Sequence, residues 1–228
     1  MAEPSPSAPP ADRPTVWVNC AVSLDGRLAF AEGVRARLSS PEDLARVQRL
    51  RAEVDGILVG VGTVVSDDPS LRVHAEMLPD PPGRNPTRIV LDSTGRTPAS
   101  ARVLDGSAPT IVATTALCRR SFPPTVRTVV AGDSGPVDLP RLFVELRRLG
   151  LRRILVEGGS AVLASFTRAR LFDRWTVYYA PVVIGGRTAP SMVAGPETHG
   201  FDDAVPVELV GVEPLGGGFV ATFQAKRA

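Results

Sequence analysis

The sequence has few of the residues that build metal centres, disulfide frameworks or membrane spans. It has two cysteines and two histidines in 228 residues, and Cys20 and Cys118 lack the close spacing of a metal site. Thiols that need not pair suit a reducing compartment, so we expect a cytoplasmic protein without a bound metal. No apolar run approaches the roughly 18 residues that a membrane-spanning helix requires, so no membrane association is expected.

The sequence also lacks a strong charge of one sign. The net charge is +2 and the acidic and basic residues are interspersed, which argues against nucleic acid as a partner. Residues 1–14 are rich in Pro, Ala and Ser without a signal-peptide pattern, and they predict a disordered tail. Residues 15–228 have the length of one α/β domain with a core of its own.

Short buried strands alternate with amphipathic helices along the chain, which predicts an α/β domain. Strands separated by helices favour a parallel sheet, whereas the glycines at 216–218 predict an antiparallel hairpin at the C-terminal edge. The predicted strands are Thr15–Val22, Asp55–Gly60, Thr87–Asp92, Pro109–Thr114, Thr125–Ala131, Arg152–Glu157, Asp173–Ile184 (interrupted at Pro181), Val205–Val212 and Phe219–Ala225.

A polar loop at residues 33–38 precedes a helix that has clear start signals. Ser40 is placed to cap it, Pro41 fits its first position, and Asp43 completes an S-x-x-D box. Two later helices are predicted, one with Pro140 near its start and one at Ala161–Leu171. The inward stripes are Leu44, Val47, Leu50 and Val54 in the first helix, and Leu139, Leu142, Phe143, Leu146 and Leu149 in the second.

Arg51 lies within the apolar stripe of the first helix. A guanidinium that points inward must meet an anion, because an unpaired buried charge is costly. That anion is either a carboxylate of the fold or a phosphate of a ligand, and the sequence leaves both possibilities open.

Gly158 and Gly159 join a buried strand to a helix. Glycines let the backbone turn sharply and leave no side chain between its N–H groups and a ligand. A helix that starts there adds unpaired donors and the positive end of its dipole, so the joint is suited to an anion. Glu157, at the strand tip, would lie beside the ligand. The alternative is a joint that needs glycine only for its turn.

Other polar groups follow buried strands. The sequence after Gly60 has a Gly-x-Gly pattern, but Val65 stands where a dinucleotide fingerprint has its third glycine, so a standard Rossmann site is not expected. Thr63 and Asp67 lie one helical turn apart and could face a ligand or merely begin a helix. Ser93 and Arg96 could bind an adenosine 2′-phosphate or form a solvent-facing turn.

Short motifs spread over residues 15–225 resemble one known family. In order they are Ser23-Leu24-Asp25-Gly26, Leu50-Arg51-Ala52, Val59-Gly60-Val61-Gly62-Thr63-Val64, Asp67-Asp68-Pro69-Ser70-Leu71, Arg88-Ile89-Val90-Leu91-Asp92-Ser93, Glu157-Gly158-Gly159, Tyr179-Ala180-Pro181 and Gly185-Gly186. This series resembles the riboflavin-biosynthesis pyrimidine reductases. The resemblance implies a single three-layer, dihydrofolate reductase-like domain, and the lack of an upstream zinc-deaminase motif resembles the free-standing archaeal type.

The resemblance implies that NADPH reduces the ribose of a ribosylaminopyrimidine 5′-phosphate to a ribitylamino chain, in a homodimer built with the strand at 173–184 and the C-terminal hairpin. NADH remains possible. The implied NADPH contacts are Val22, Thr63, Asp67, Ser93, Arg96, Gly158, Gly159 and Ser160. The implied substrate contacts are Arg51, Leu71, His74 and Glu157, with Arg51 and His74 at the 5′-phosphate. We hypothesise that Glu157 or Asp25 supports the cationic C1′ carbon or moves the ring-oxygen proton; the alternative for Asp25 is a tight-turn residue.

Two departures from the family pattern keep other functions open. Arg35 and Arg37 stand where many relatives carry Ser and Trp, and the position of Asn19 is often Lys. A reductase of the same fold that acts on a pterin or a secondary-metabolite precursor is the alternative, and a non-catalytic nucleotide-binding domain is a third hypothesis. A Ser–His hydrolase is not expected, because neither His74 nor His199 lies in a nucleophile motif.

Overall fold

A computed structural model describes residues 13–31, 34–195 and 199–226 of the chain. Its centre is a nine-stranded sheet in the order β5-β4-β3-β2-β6-β1-β7-β9-β8. The strands are β1 Thr15–Ser23, β2 Gly56–Gly60, β3 Thr87–Leu91, β4 Thr110–Thr114, β5 Val126–Val130, β6 Arg153–Val156, β7 Arg174–Ala180, β8 Val207–Leu215 and β9 Gly218–Ala225.

The first seven strands in this order, from β5 at the edge to β7, run parallel to one another. Strand β9 runs antiparallel to both of its neighbours, β7 and β8. The prediction of a parallel sheet with an antiparallel C-terminal hairpin is therefore confirmed. All the predicted strands are found, and most of their ends lie within three residues of the prediction.

Helices cover both faces of the sheet in the described part of the chain. They are α1 Pro41–Ala52, α2 Val61–Asp67, α3 Leu139–Arg148 and α4 Ser160–Arg168. Val16 and Val18 of β1 face one apolar layer with α3 and α4, and Trp17 between them faces a second layer with α2. The alternation of side chains along a strand thus gives three layers. No helix in these described ranges is long and apolar enough to cross a membrane.

Ser40 and Pro41 begin α1 as predicted, but the S-x-x-D box is not completed, because the Asp43 carboxylate accepts from Arg46 and not from the Ser40 N–H. The Ser40 hydroxyl accepts a hydrogen bond from the backbone N–H of Asp43 at 3.2 Å, and Pro41 occupies the first turn of α1. Asp138 caps α3 in the same way, accepting from the N–H of Arg141 at 2.9 Å. The apolar stripe of α3 is buried from Leu139 to Leu146.

The inward stripe predicted for α1 is wrong at Leu44, which is 47% exposed. The fully buried residues of this helix are Asp43 and Gln48. The side of α1 that faces the sheet is instead polar: Arg46 donates to Asn19 Oδ1 of β1 at 2.8 Å and, within the helix, to Asp43 Oδ1 at 2.7 Å. With this side toward the sheet, Leu44 faces solvent.

The strand predicted at Asp173–Ile184 ends at Ala180, before Pro181. Proline has no N–H to donate to a neighbouring strand, so it ends the ladder rather than interrupting it. The tail predicted at 1–14 falls mostly outside the described residues, but Arg13 is described and forms a bidentate ion pair with Asp173 at 2.8 Å. Of the predicted loop at 33–38, residues 34–38 have no regular secondary structure.

Candidate functional site

A cleft of about 620 Å³ lies at the carboxyl ends of the parallel strands β1, β2, β3 and β6. Ligands bind at this edge of open α/β sheets, because the loops that follow the strands diverge there. Eight of the sequence-predicted site residues line it: Thr63, Asp67, Ser93, Arg96, Glu157, Gly158, Gly159 and Ser160. The structure therefore brings all the predicted cofactor contacts except Val22 together in this cleft.

The glycine pair shapes the centre of the cleft. Gly158 and Gly159 have φ angles of 102° and 86°, a region that residues with a Cβ rarely adopt, and α4 begins at Ser160. A Cβ on Gly158 would meet no atom within 4 Å, whereas one on Gly159 would lie 3.0 Å from Thr63 Oγ1. The open space beside Gly158 and the free N–H groups of the first turn of α4 fit the phosphates of a nucleotide.

A second wall comes from the joint between β2 and α2. The helix follows the strand directly, so Thr63 and Asp67 lie one turn apart and both line the cleft. A Cβ on Gly60 would lie 2.6 Å from Val162 Cγ2 of α4, so glycine is what lets the two helix starts approach one another. The Gly-x-Gly pattern here brings two helix starts together and does not form a dinucleotide fingerprint.

A third wall is the turn at Ser93–Arg96, and sequence reasoning missed the residue that organises it. The carboxylate of Asp92 is fully buried at the end of β3. It accepts hydrogen bonds from the backbone N–H groups of Gly95, Arg96 and Thr97 at 3.0, 2.8 and 2.7 Å. An Asp followed by Ser, Thr and Gly is typical of such side-chain-stabilised turns, so the signal was present in the sequence.

Arg51 points inward as predicted, and of the two possible anions it meets the carboxylate. Its Nε and Nη2 donate to Glu157 Oε1 and Oε2 at 2.7 and 2.6 Å, and its Nη1 donates to the carbonyl of Arg72 at 2.9 Å. Burial alone would lower the pKa of Arg51, but the adjacent Glu157 carboxylate outweighs it and raises that pKa. Arg51 is therefore a fixed cation, and it orients the cleft-lining Glu157.

The other predicted substrate residues lie near Arg51 and do not line the cleft. Leu71 is buried in the apolar layer next to α2, one residue before the Arg72 carbonyl that Arg51 contacts. His74 is half-exposed; its backbone N–H donates to Gln48 Oε1 at 2.9 Å, and its Nδ1 lies 3.1 Å from Glu76 Oε1. The Arg51–Glu157 pair thus connects this polar neighbourhood to the cleft.

Asp25 does not line the cleft either. It accepts hydrogen bonds from the backbone N–H groups of Ile184 and Gly185 at 3.0 and 2.8 Å and from the Ser23 hydroxyl at 2.7 Å. Chiefly because of the Ile184 and Ser23 hydrogen bonds, the pKa of Asp25 falls to about 2. A carboxylate with so low a pKa is a weak base, so the structure favours the tight-turn alternative over proton transfer by Asp25.

The prediction that Val22 of β1 contacts the cofactor is wrong, because Val22 is fully buried in the core. The residues of β1 that reach the cleft are Cys20 and Ala21, and no sequence pattern marks them as site residues. Burial raises the pKa of the Cys20 thiol to about 12. Leu28 and Pro190 close the same end, joined by a hydrogen bond of 2.9 Å from the Leu28 N–H to the Pro190 carbonyl.

Comparison with known proteins agrees with this architecture. The model of the RibD C-terminal domain family matches residues 14–221. A 2,5-diamino-6-ribosylamino-4(3H)-pyrimidinone 5′-phosphate reductase of Methanothermobacter thermautotrophicus is 39% identical over 222 residues, which cover 94% of this chain and 99% of the relative. The protein of the same name from Archaeoglobus fulgidus is 38% identical over 224 residues, covering 94% of this chain and 100% of the relative.

Among solved structures, a diaminohydroxyphosphoribosylaminopyrimidine deaminase/5-amino-6-(5-phosphoribosylamino)uracil reductase from Thermotoga maritima superposes with a TM-score of 0.75 at 26% identity. The match covers 94% of this chain and 57% of that chain. The fold is the dihydrofolate reductase-like α/β fold that the motifs imply, and that prediction is confirmed. The chain belongs to the RibD C-terminal domain family.

Proposed function

We propose that this protein reduces 2,5-diamino-6-ribosylamino-4(3H)-pyrimidinone 5′-phosphate to its ribitylamino product in riboflavin biosynthesis, with NADPH as reductant. The observation that carries the proposal is one cleft in which the glycine joint at 158–159 stands next to a largely buried carboxylate, Glu157, held by an inward arginine. The full-length similarity to archaeal reductases of this substrate supports it.

The cofactor would lie along the wall formed by α2, the Ser93–Arg96 turn and the start of α4. Thr63, Asp67, Gly158, Gly159 and Ser160 are the groups proposed to hold it, with Ser93 and Arg96 at an adenosine 2′-phosphate. When bound, a reduced nicotinamide supplies the hydride for the reaction. Arg96 is exposed at the cleft, and among the described residues no carboxylate forms an ion pair with its guanidinium. That free cation favours NADPH over NADH.

The substrate would lie against Glu157 at one side of the cleft, and its ribose phosphate would extend beyond the cleft lining toward Arg51 and His74. Leu71, which is buried, would support this region from the apolar layer behind it. The Arg51 guanidinium has N–H groups beyond those used by Glu157 and the Arg72 carbonyl, and these are left for phosphate oxygens. Because Glu157 offsets the positive charge of Arg51, we expect Arg51 to bind the phosphate more through directed hydrogen bonds than through its net charge.

Opening of the ribose ring leaves a cationic carbon at C1′ that accepts hydride. Glu157 is the proposed group to stabilise that carbon or to carry the proton of the ring oxygen, because it lines the cleft and Arg51 fixes its orientation. Asp25 is the weaker candidate, since it does not line the cleft and its carboxylate already accepts hydrogen bonds from Ile184, Gly185 and Ser23. We assign Asp25 the role of holding the segment around Ile184 in place.

The test is consumption of reduced nicotinamide with three substrates offered separately: the diaminopyrimidinone phosphate, the corresponding 5-aminouracil phosphate and a dihydropterin. Turnover of the diaminopyrimidinone alone is expected. Turnover of the dihydropterin alone would replace the proposal by the same-fold alternative, which Arg35 and Arg37, both exposed before α1, leave open. Nucleotide binding with no turnover of any of the three would favour a non-catalytic domain.

A cytoplasmic homodimer completes the proposal. Strand β8 is the edge of the sheet. Its Leu209 and Val212, which pair with Phe223 and Ala221 on one face of β9, are 57% and 53% exposed. Exposed apolar residues on an edge strand are typical of a surface that another chain covers. Sedimentation should give a dimer for the native protein and a monomer for Leu209→Glu, whereas Val144→Glu on the exposed face of α3 should remain dimeric.

A further inference from the structure

The backbone of the Ser93–Arg96 turn, whose residues Ser93 and Arg96 line the cleft, is held from several directions. Below it, the buried Asp92 carboxylate accepts from three consecutive N–H groups and also from the Thr97 hydroxyl at 2.7 Å. At its start, the Thr115 hydroxyl and backbone N–H donate to the Ser93 carbonyl at 3.0 and 3.2 Å. These contacts use polar groups of the backbone at both ends of the turn.

Arg120 holds two further carbonyl groups at the end of this segment. Its Nη1 donates to the Gly95 carbonyl at 3.2 Å and also to the Thr97 carbonyl. The chain around Arg120 also packs directly on the turn, since a Cβ on Gly95 would lie 2.9 Å from both Arg120 Cβ and Cys118 Sγ. The guanidinium stacks over the ring of Phe122, with Cζ 5.1 Å from the ring centroid, which fixes its own position.

We infer that Arg120 is a positioning residue for cofactor selectivity: it fixes the turn so that Arg96 meets the adenosine 2′-phosphate, although Arg120 does not line the cleft. This inference rests on the proposed use of NADPH. The physical reason is entropic and geometric. An exposed arginine loses conformational freedom when it binds, and a backbone already held in the binding geometry reduces that loss. Without Arg120 the turn keeps its contacts to Asp92 and Thr115 but loses the group that holds the Gly95 and Thr97 carbonyls.

The test measures binding of two adenosine nucleotides that differ only in the 2′-phosphate: adenosine 2′,5′-bisphosphate and adenosine 5′-monophosphate. Calorimetry on the whole protein reports their affinities independently of catalysis. Arg120→Met keeps most of the aliphatic stem and removes the guanidinium. We expect it to weaken the bisphosphate roughly tenfold, the effect of about one charge-assisted hydrogen bond, and to leave the monophosphate unchanged within about twofold.

Arg119→Ala is the matched control, because Arg119 is an exposed neighbour whose loss changes the net charge by the same amount. It should leave the ratio of the two affinities within about twofold of the native value, since exposed charges are screened. Arg120→Lys, which restores a donor, should recover part of the selectivity. In an Arg96→Ala background, Arg120→Met should have no further effect on the ratio, because the group through which Arg120 acts is then absent.

Equal weakening of both nucleotides by Arg120→Met, or full additivity with Arg96→Ala, would overturn the inference while leaving the proposed NADPH site intact. Native protein that binds the two nucleotides equally would overturn both the inference and the assignment of the Ser93–Arg96 turn to the 2′-phosphate. If Arg120→Met does not fold, the Arg120→Lys ratio decides the outcome: a ratio below the native value, with an unaltered Arg119→Ala ratio, supports the inference, and a fully native ratio contradicts it.

Discussion

The two proposed halves of the cleft are built mainly from different kinds of chemical group. The proposed cofactor half uses backbone: the positive φ angles of Gly158 and Gly159, the free N–H groups at the start of α4 and a turn whose amides are held by Asp92. The proposed substrate half uses charged side chains, with Arg51 and Glu157 paired across 106 residues of sequence. The comparison teaches that local motifs specify the first half and that tertiary pairing specifies the second.

The largest expected effect comes from breaking the charged half. Glu157→Gln keeps the size of the side chain but removes its charge, and we expect single-turnover hydride transfer to slow roughly 10²- to 10⁴-fold. Binding of NADPH should change little. Glu53→Gln, at an exposed carboxylate after α1, is the control. An unchanged rate in Glu157→Gln would remove this residue from the mechanism.

Arg51→Ala tests the same half through its cation. It removes the partner of Glu157 and the groups left for the substrate phosphate, so KM for the phosphorylated substrate should rise on the order of 100-fold, with NADPH affinity nearly native. Arg49→Ala, on the exposed side of the same helix, should leave KM unchanged. The phosphate assignment is wrong if KM for the substrate stays at its native value in Arg51→Ala.

The backbone half is tested by Gly159→Ala. A Cβ there must adopt a φ of 86° and approach Thr63 Oγ1 to 3.0 Å, so the joint should distort and NADPH affinity should fall about tenfold. Gly106→Ala has a similar φ of 74° in a position with no atom within 4 Å of the added Cβ. It should lose comparable thermal stability and keep native NADPH affinity. Equal NADPH affinities in the two variants would show that the joint needs glycine only for its turn.

The smallest effect is expected at Asp25, outside both halves. Its pKa lies below the value of an unfolded aspartate, so its stabilising hydrogen bonds are fully present above about pH 4 and are lost as the pH falls through about 2. Asp25→Asn should therefore be less stable than native protein at neutral pH, and thermal melts should show that difference shrinking between about pH 4 and pH 2. The pH profile of kcat between 5 and 8 should keep its shape; an altered profile would restore Asp25 as a proton carrier.

The contrast between the halves also explains what the sequence could predict. The glycine joint, the Ser40 cap and the apolar stripe of α3 are local patterns, and each was found where the sequence placed it. Leu44 was misplaced because a polar side of α1 faces the sheet, where Arg46 donates to Asn19, a residue distant in sequence. The orientation of Arg51 followed from its position in the helix, but its partner did not, because periodicity says nothing about which carboxylate lies opposite.

The burial of Cys20 has a practical consequence for handling the protein. With a pKa of about 12, its thiolate makes up on the order of one part in 10⁵ at pH 7, and only the thiolate reacts readily with alkylating agents and oxidants. Although Cys20 lines the cleft, iodoacetamide or peroxide should leave its thiol unmodified in the folded state. The rate at which Cys20 is labelled would then report the rate of global unfolding.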